Sequence, residues 1–145
     1  MRKAVVYARQ ARLFVRTCSQ TNTGLWIDDG PCVTLKLAGL VPEDLGRKVA
    51  ESLDRTRLGI SHPTSWEHLS DPLLEAAGVR TMAKFERSSK CVNVELGDDL
   101  CLKPTRNLGA RAGFVVVESQ VLRLPNAGDH LALGKGVLAA LSAAE

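Results

Sequence analysis

No stretch of apolar residues in this sequence approaches the roughly 20 needed to cross a bilayer as a helix, so a membrane-spanning helix is not expected. Aromatic residues are scarce too, at 4% of the chain. A nucleic-acid-binding surface usually interleaves a basic stripe with aromatics. Here the net charge is only +3, and the positive residues are scattered among 16 acids. The four cysteines, Cys18, Cys32, Cys91 and Cys101, form no C-x-x-C, and no histidine stands at ligand spacing from them. Neither zinc nor any other metal is therefore expected, and no cofactor motif is present. Each cysteine falls in a strand-like run, where a free thiol behaves as a small buried hydrophobe. Reduced thiols suit a cytosolic compartment, with a Cys18–Cys32 pair on neighbouring strands as the alternative. The basic start "MRKAVVYARQARLF" also falls short of a signal peptide. Arg9 and Arg12 interrupt its apolar run, and no small-residue cleavage site follows. It reads as a cytosolic, mature start.

What the sequence does contain is enough for one domain, residues 1–145. A chain of this size buries roughly 68–70% of its unfolded surface without staples. Its apolar fraction of 45% and charged fraction of 24% are those of a soluble globular protein. One phrase occurs twice. "LGRKVAESL" (45–53) and "LGKGVLAAL" (133–141) both read L-G-x-x-V-x-x-x-L, and both follow a short apolar alternation, "VTLKL" and "QVLRL". Leu45, Val49 and Leu53 stand at i, i+4 and i+8, one apolar stripe along a helix, and Leu133, Val137 and Leu141 repeat it. Pro42, Glu43 and Asp44 suit the first turn of the earlier helix, and Asp129 can cap the later one. A glycine beside the stripe costs about 1 kcal/mol relative to alanine. That cost is understandable if both helices dock on one sheet so closely that a Cβ would collide with it.

Elsewhere strands dominate. "KAVVYAR" and "RLFVRTCS" are separated by a Gln10-Ala11 break. "GLWIDDGPCVTLKL" reads as a hairpin turning at Asp28-Asp29-Gly30-Pro31, with Val33, Leu35 and Leu37 on one face of its return strand. "SDP" at 70–72 starts a helix that Gly78 ends, with Ser70 or Asp71 as its cap, and "RTMAKF" is a further helical turn. "KCVNVELGDDLCLKP" is a hairpin with Gly97-Asp98-Asp99 at its tip. "TRNLGARAG" is a glycine-punctuated loop, and "FVVVESQVLRL" supplies one or two closing strands. The expected fold class is α+β: a largely antiparallel sheet with about three helices packed mainly on one face.

Chemistry is thinly represented. "HPTSWEH" gathers His62, Ser65, Glu67 and His68, yet its spacing is neither H-E-x-x-H nor G-x-S-x-G. A polar connecting loop explains it better than a hydrolase or transferase site. Trp66 within it is either a lid over the core or a partner contact. "GARAG" leads into a strand, whereas phosphate cradles precede a helix N-terminus. Arg106 and Arg111 beside it could meet a carboxylate or phosphate surface. The pairs Asp28-Asp29 and Asp98-Asp99 fall at expected hairpin tips, where aspartate serves turn geometry.

Taken in order, five segments resemble a known family: "GLWID", "EDLGRKVAESLDRTRLGISHP", "LLEAAGVRTMAKFERSSKCVNVE", "LCLKPTRNLGARAGFV" and "HLALGKGVLAAL". They are similar to the immunity proteins of bacterial contact-dependent growth inhibition systems. In that family an LG helix precedes a histidine-proline, and an AAGV helix leads to a phenylalanine. A P-x-R-N-x-G…GF stretch and a final LG helix follow. The resemblance spans the chain from about residue 13 onward, and its specificity lies in the order of short motifs. It implies a non-enzymatic cytoplasmic antitoxin that binds its cognate toxin domain one to one, the toxin being a nuclease acting on tRNA. It implies no cofactor, no direct contact with nucleic acid or membrane, and no catalytic residues to carry over. The shared motifs then mark scaffold, and the interface falls to exposed polar loops: Asp28, Asp29, Trp66, Asp98, Asp99, Arg106 and Arg111. An inhibitor of a nuclease is often acidic, and this basic chain departs from that pattern. The alternatives are a small nucleic-acid-binding module using its scattered arginines, or a hydrolase using His62 or His68.

Overall fold

The computed structural model describes residues 1–145. It opens on a hairpin of β1 (Arg2–Arg9) and β2 (Arg12–Thr21), joined by Gln10 and Ala11 at φ 49° and 60°. Two successive left-handed residues give the turn a twist that matches the strands it joins. The chain continues through β3 (Trp26–Lys36), α1 (Pro42–Asp54), β4 (Leu58–Ile60), α2 (Asp71–Ala77) and α3 (Met82–Glu86). It closes with β5 (Lys90–Leu96), β6 (Leu100–Asn107), β7 (Phe114–Val116), β8 (Leu122–Leu124) and α4 (His130–Ala143). The sheet has eight strands in the order β3-β2-β1-β5-β6-β7, with β4 beside β2 and β8 beside β6. Only the short β2–β4 pairing is parallel. The architecture is the expected α+β one, a largely antiparallel sheet with its two long helices, α1 and α4, on the same face.

Period-two alternation divides the core between the sheet's faces. Ala4, Val6, Leu13, Val15, Val92, Val94, Leu100 and Leu102 point to one side, where they meet the Leu45–Val49–Leu53 and Leu133–Val137–Leu141 stripes. Val5, Tyr7, Phe14 and Cys91 point to the other, against Leu73 and Ala77 of α2 and Phe85 of α3. The two short helices thus cover the face that the long ones leave free.

The paired glycines do not face the sheet, as the sequence suggests; they face each other's helices. A Cβ on Gly46 would overlap the His130 carbonyl of α4 and lie 2.9 Å from the Gly134 nitrogen. A Cβ on Gly134 would overlap the Pro42 carbonyl of α1 and lie 3.1 Å from the Gly46 nitrogen. The repeated phrase therefore encodes a reciprocal helix–helix contact at backbone distance, while the leucine and valine stripe beside each glycine rests on the sheet.

A second expectation is corrected at "DDGP". Residues 25–37 do not form a hairpin, because β3 runs unbroken past this point along the whole of β2. Arg16 pairs with Cys32 and Thr17 with Asp29, so Gly30 and Pro31 are extra residues bulged out of the ladder. Gly30 takes the required positive φ of 79°. Because β3 is an edge strand, the amide that Pro31 lacks is no loss to the ladder. Leu37 lies beyond the strand end and is exposed, while Val33 and Leu35 are half-buried against the helical core. "TRNLGARAG" is also only partly loop, since Thr105–Asn107 belong to β6 and pair with β7. All four cysteines lie on strands and are free thiols, Cys18 opposite Asp28 and Cys32 opposite Arg16.

Candidate partner-binding surface

The strand register sorts the charged residues to two ends of the sheet. One end holds the start of β1, the end of β2, the start of β3 and the β5–β6 tip. Nearly every carboxylate there is matched to a cation. Arg2 contacts Asp54 at 2.6 Å, Glu95 lies between Lys3 at 3.0 Å and Lys103 at 2.7 Å, and Arg123 contacts Asp99 at 3.2 Å. Burial alone would raise the Glu95 carboxyl, but hydrogen bonds from Lys103 and Lys3 outweigh it and hold it below its ordinary value.

Asp28 and Asp29 are built into this end as strand residues, not as the tip of a turn. Asp29 takes two hydrogen bonds from Arg57, each 3.0 Å, and one from Ser19 at 2.7 Å. The Arg57 bond is the main cause that keeps its carboxyl below the usual carboxylate range. Asp28 faces the opposite side of the sheet and lies 3.5 Å from Arg16. Burial pushes the Asp28 carboxyl up, against the pull of Arg16. Arg16 itself is only 2% exposed. It donates to the Leu69 carbonyl and to the bulged Gly30 carbonyl, each at 2.9 Å, and so ties the loop at 61–70 to the edge strand. Burial also raises Tyr7 and the thiols of Cys18 and Cys91, with the Asp28 charge adding to each, and lifts Cys32 to about 11. These thiols are protonated and unreactive at neutral pH.

Trp66 stands on the Arg16-tethered loop. It is half-exposed, with the His62 ring edge-on at 5.5 Å between centroids. The candidate catalytic groups beside it are spent locally. His62 contacts the Pro63 carbonyl at 3.0 Å, Ser65 accepts from the Glu67 amide at 3.3 Å, and His68 meets Asp71 at 2.8 Å. Nucleophile, base and orienting group do not converge there as a triad requires.

The other end of the sheet is different. Arg9, Arg12, Lys36 and Lys90 cluster there through the registers of β1, β2, β3 and β5, with Arg87 just beyond α3 and Arg111 in the loop after β6. The only ion pair at this end is Arg106–Glu145, at 2.6 Å. Arg12 is offset by the α2 C-terminus, donating to the Ala76 and Ala77 carbonyls at 3.0 and 3.1 Å. Arg9, 7% exposed, forms no ion pair, and its Nε has no hydrogen-bond partner. At the same end, without Arg9 in its lining, opens a cavity of about 590 Å³, lined by Arg87, Ser88, Ser89, Lys90, Asn107 and Glu145 among others. Asn107 builds its floor, donating to the Glu86 carbonyl at 2.5 Å and the Ser89 carbonyl at 3.0 Å. The Asn107 amide donates to the Glu145 carbonyl at 2.7 Å.

The seven residues proposed from sequence therefore form no single surface. Asp28, Asp29, Asp98 and Asp99 share one end, Arg106 and Arg111 the other, and Trp66 lies on the loop over the α2 face. Sequence reading did not single out Arg87 and Lys90, for which the only signal was the density of cations in "KFERSSK", and it noted Arg9 only as a break in the apolar start.

No protein-family model matches this chain, and no curated protein matches it. Solved structures do. A protein of unknown function from Neisseria meningitidis superposes with a TM-score of 0.81 at 19% identity, over 99% of this chain and 95% of that one. A chain of the CdiA-CT/CdiI toxin and immunity complex from Yersinia pseudotuberculosis does so with a TM-score of 0.80 at 16% identity, over 99% of this chain and 97% of that one. In fold, and along nearly its whole length, this chain is similar to a component of a toxin and immunity complex.

Proposed function

We propose that this chain is an immunity protein that neutralises a cognate toxin domain by tight one-to-one binding in the cytoplasm, the toxin being a tRNA nuclease of a contact-dependent growth inhibition system. The observation that carries the reading is the fold it has in common with a chain of the CdiA-CT/CdiI complex, at nearly full coverage of both. The ordered segments of the sequence support the same assignment independently. The protein acts by binding, not by chemistry.

Such a role sets its own physical demands. A free nuclease turns over repeatedly, so the antidote needs a Kd of about a nanomolar or tighter, roughly −12 kcal/mol. An interface of standard size takes about 800 Å² from each partner, a modest share of the 7712 Å² this molecule exposes. Among the seven candidate contacts, Trp66, Asp98 and Arg111 offer side chains uncommitted to internal ion pairs. Asp28, Asp29, Asp99 and Arg106 would contribute through the pairs they already form. The test is co-expression with the toxin domain encoded immediately upstream. The expected result is one co-eluting complex with the nuclease silent; separate peaks and an active nuclease would overturn the assignment.

A further inference from the structure

We infer that the basic end of the sheet, with its cavity between the end of α3, the loop at 108–113 and Glu145, is the dock for an acidic segment of the toxin domain. This rests on the immunity reading and adds to it where the toxin is held. Two observations carry it. The first is the imbalance of ion pairing: nearly every carboxylate at the opposite end is matched by a cation, whereas Arg87, Lys90 and Arg111 here have no carboxylate within ion-pair distance and stand exposed. The second is shape, for the ends of α3 and β6 and the last residue of the chain are stitched through Asn107 into a concave polar floor, with Arg87 and Lys90 in its lining.

The same cations could attract phosphates, but the lining argues for a protein. Single-stranded nucleic acid is held by aromatic platforms on which bases stack. None of the nine residues that line this cavity is aromatic; of the neighbouring rings, Tyr7, Phe14 and Phe85 are buried in the core, and Phe114, opposite Asn107, is half-buried and packed against them. The charge further decides where the toxin is gripped. A nuclease's substrate cleft is basic and would repel this surface, so docking occurs on an acidic face outside that cleft.

The experiment uses the full chain and two probes of matched charge at low salt, a labelled polyglutamate peptide and a uridine oligonucleotide, read by fluorescence anisotropy. The peptide is expected to bind, and the double variant Arg87→Glu/Lys90→Glu to weaken it by about tenfold or more, while Arg47→Glu on distant α1 leaves it within about twofold. Both substituted residues are exposed, and an unchanged melting temperature checks that the variant folds. An oligonucleotide that binds as tightly as the peptide, no peptide binding at all, or equal losses from Arg47→Glu would each overturn the inference. Because the probes need no toxin, the outcomes separate. Peptide binding without a co-eluting complex would remove the immunity reading and leave the acid-binding site, and a complex without peptide binding would do the reverse.

Discussion

The two faces of the sheet are sealed by different means. Under α1 and α4 lies an apolar cluster of 15 buried residues, flanked by a buried Thr17 hydroxyl that donates to the Ser52 carbonyl of α1, and closed by two helices whose backbones touch at paired glycines. On the opposite face the cluster numbers seven. Its cover is two short helices and a loop, held by a buried arginine that reaches two carbonyls and one carboxylate. The first face is specified by shape, where nothing can be added. The second is specified by polar anchors, although the buried Arg16 Nε has no hydrogen-bond partner. That contrast divides the molecule into a rigid scaffold and a side on which a loop with an exposed tryptophan is held in place.

The hardest way to break this arrangement is to add one carbon at the helix crossing. Gly134→Ala, or Gly46→Ala, puts a Cβ onto a backbone carbonyl, which cannot rotate away as a side chain can. The two helices must separate, and every contact of the stripes loosens with them. A loss of about 3 kcal/mol is expected, at the upper end of what overpacking costs, and with it a Tm lower by roughly 10 °C. Gly97→Ala at the β5–β6 tip, where a Cβ meets nothing within 4 Å, is the matched control. Comparable losses at both positions in thermal unfolding would mean that the helix contact is not what holds this face.

The opposite face breaks electrostatically. Asp28→Ala leaves Arg16 buried with its two carbonyl acceptors but no counter-charge. Removing one member of a buried ion pair costs about 3–5 kcal/mol. About 2 kcal/mol is expected here, because a quarter of the Asp28 side chain, 26%, still reaches solvent. The effect should also be local. Amide exchange should accelerate through residues 61–70 and the β3 bulge while α1 and α4 keep their protection. Uniform acceleration across both faces would show that they are one cooperative unit.

This difference also explains how much the sequence could reveal. The helical face was legible because its signals are periodic. Leu45, Val49 and Leu53 repeat at helical spacing, Leu133, Val137 and Leu141 repeat them, and Asp129 caps α4 as expected, accepting from the Ala132 amide at 3.0 Å. What could not be read was the glycines' neighbour, since a missing Cβ says that something comes close but not what. On the other face the signals were local and misdirected. Asp28-Asp29-Gly30-Pro31 has the composition of a hairpin turn, and only the length of β2 alongside makes it a bulge. The candidate contacts suffered for the same reason: three of the seven, Asp28, Asp29 and Arg106, were chosen as loop residues and lie in strands. The basic end was invisible for a different reason. Arg9, Lys90 and Arg111 are far apart in sequence, and only the antiparallel register gathers them.

The smallest expected effect lies on the loop that carries Trp66. His68 sits 2.8 Å from Asp71 and 3.9 Å from Glu67, and the hydrogen bond to Asp71 is the main cause that raises its pKa above the ordinary value of about 6.5. Because the folded protein binds this proton more tightly than the unfolded chain does, the contact's contribution is fully present below about pH 6.5 and is lost as the pH rises through the folded-state pKa. Both groups are well exposed, so water and salt screen the pair and global stability should hardly respond. The readout is therefore local: an NMR titration of the His68 ring, with a midpoint above the unperturbed value that falls back in Asp71→Asn. Loop order parameters around Trp66 should drop over the same pH interval, because the imidazolium–carboxylate contact restrains the residues just before α2. A midpoint that Asp71→Asn leaves in place would mean that the pair does not form in solution, and that the Arg16 tether alone sets where Trp66 stands.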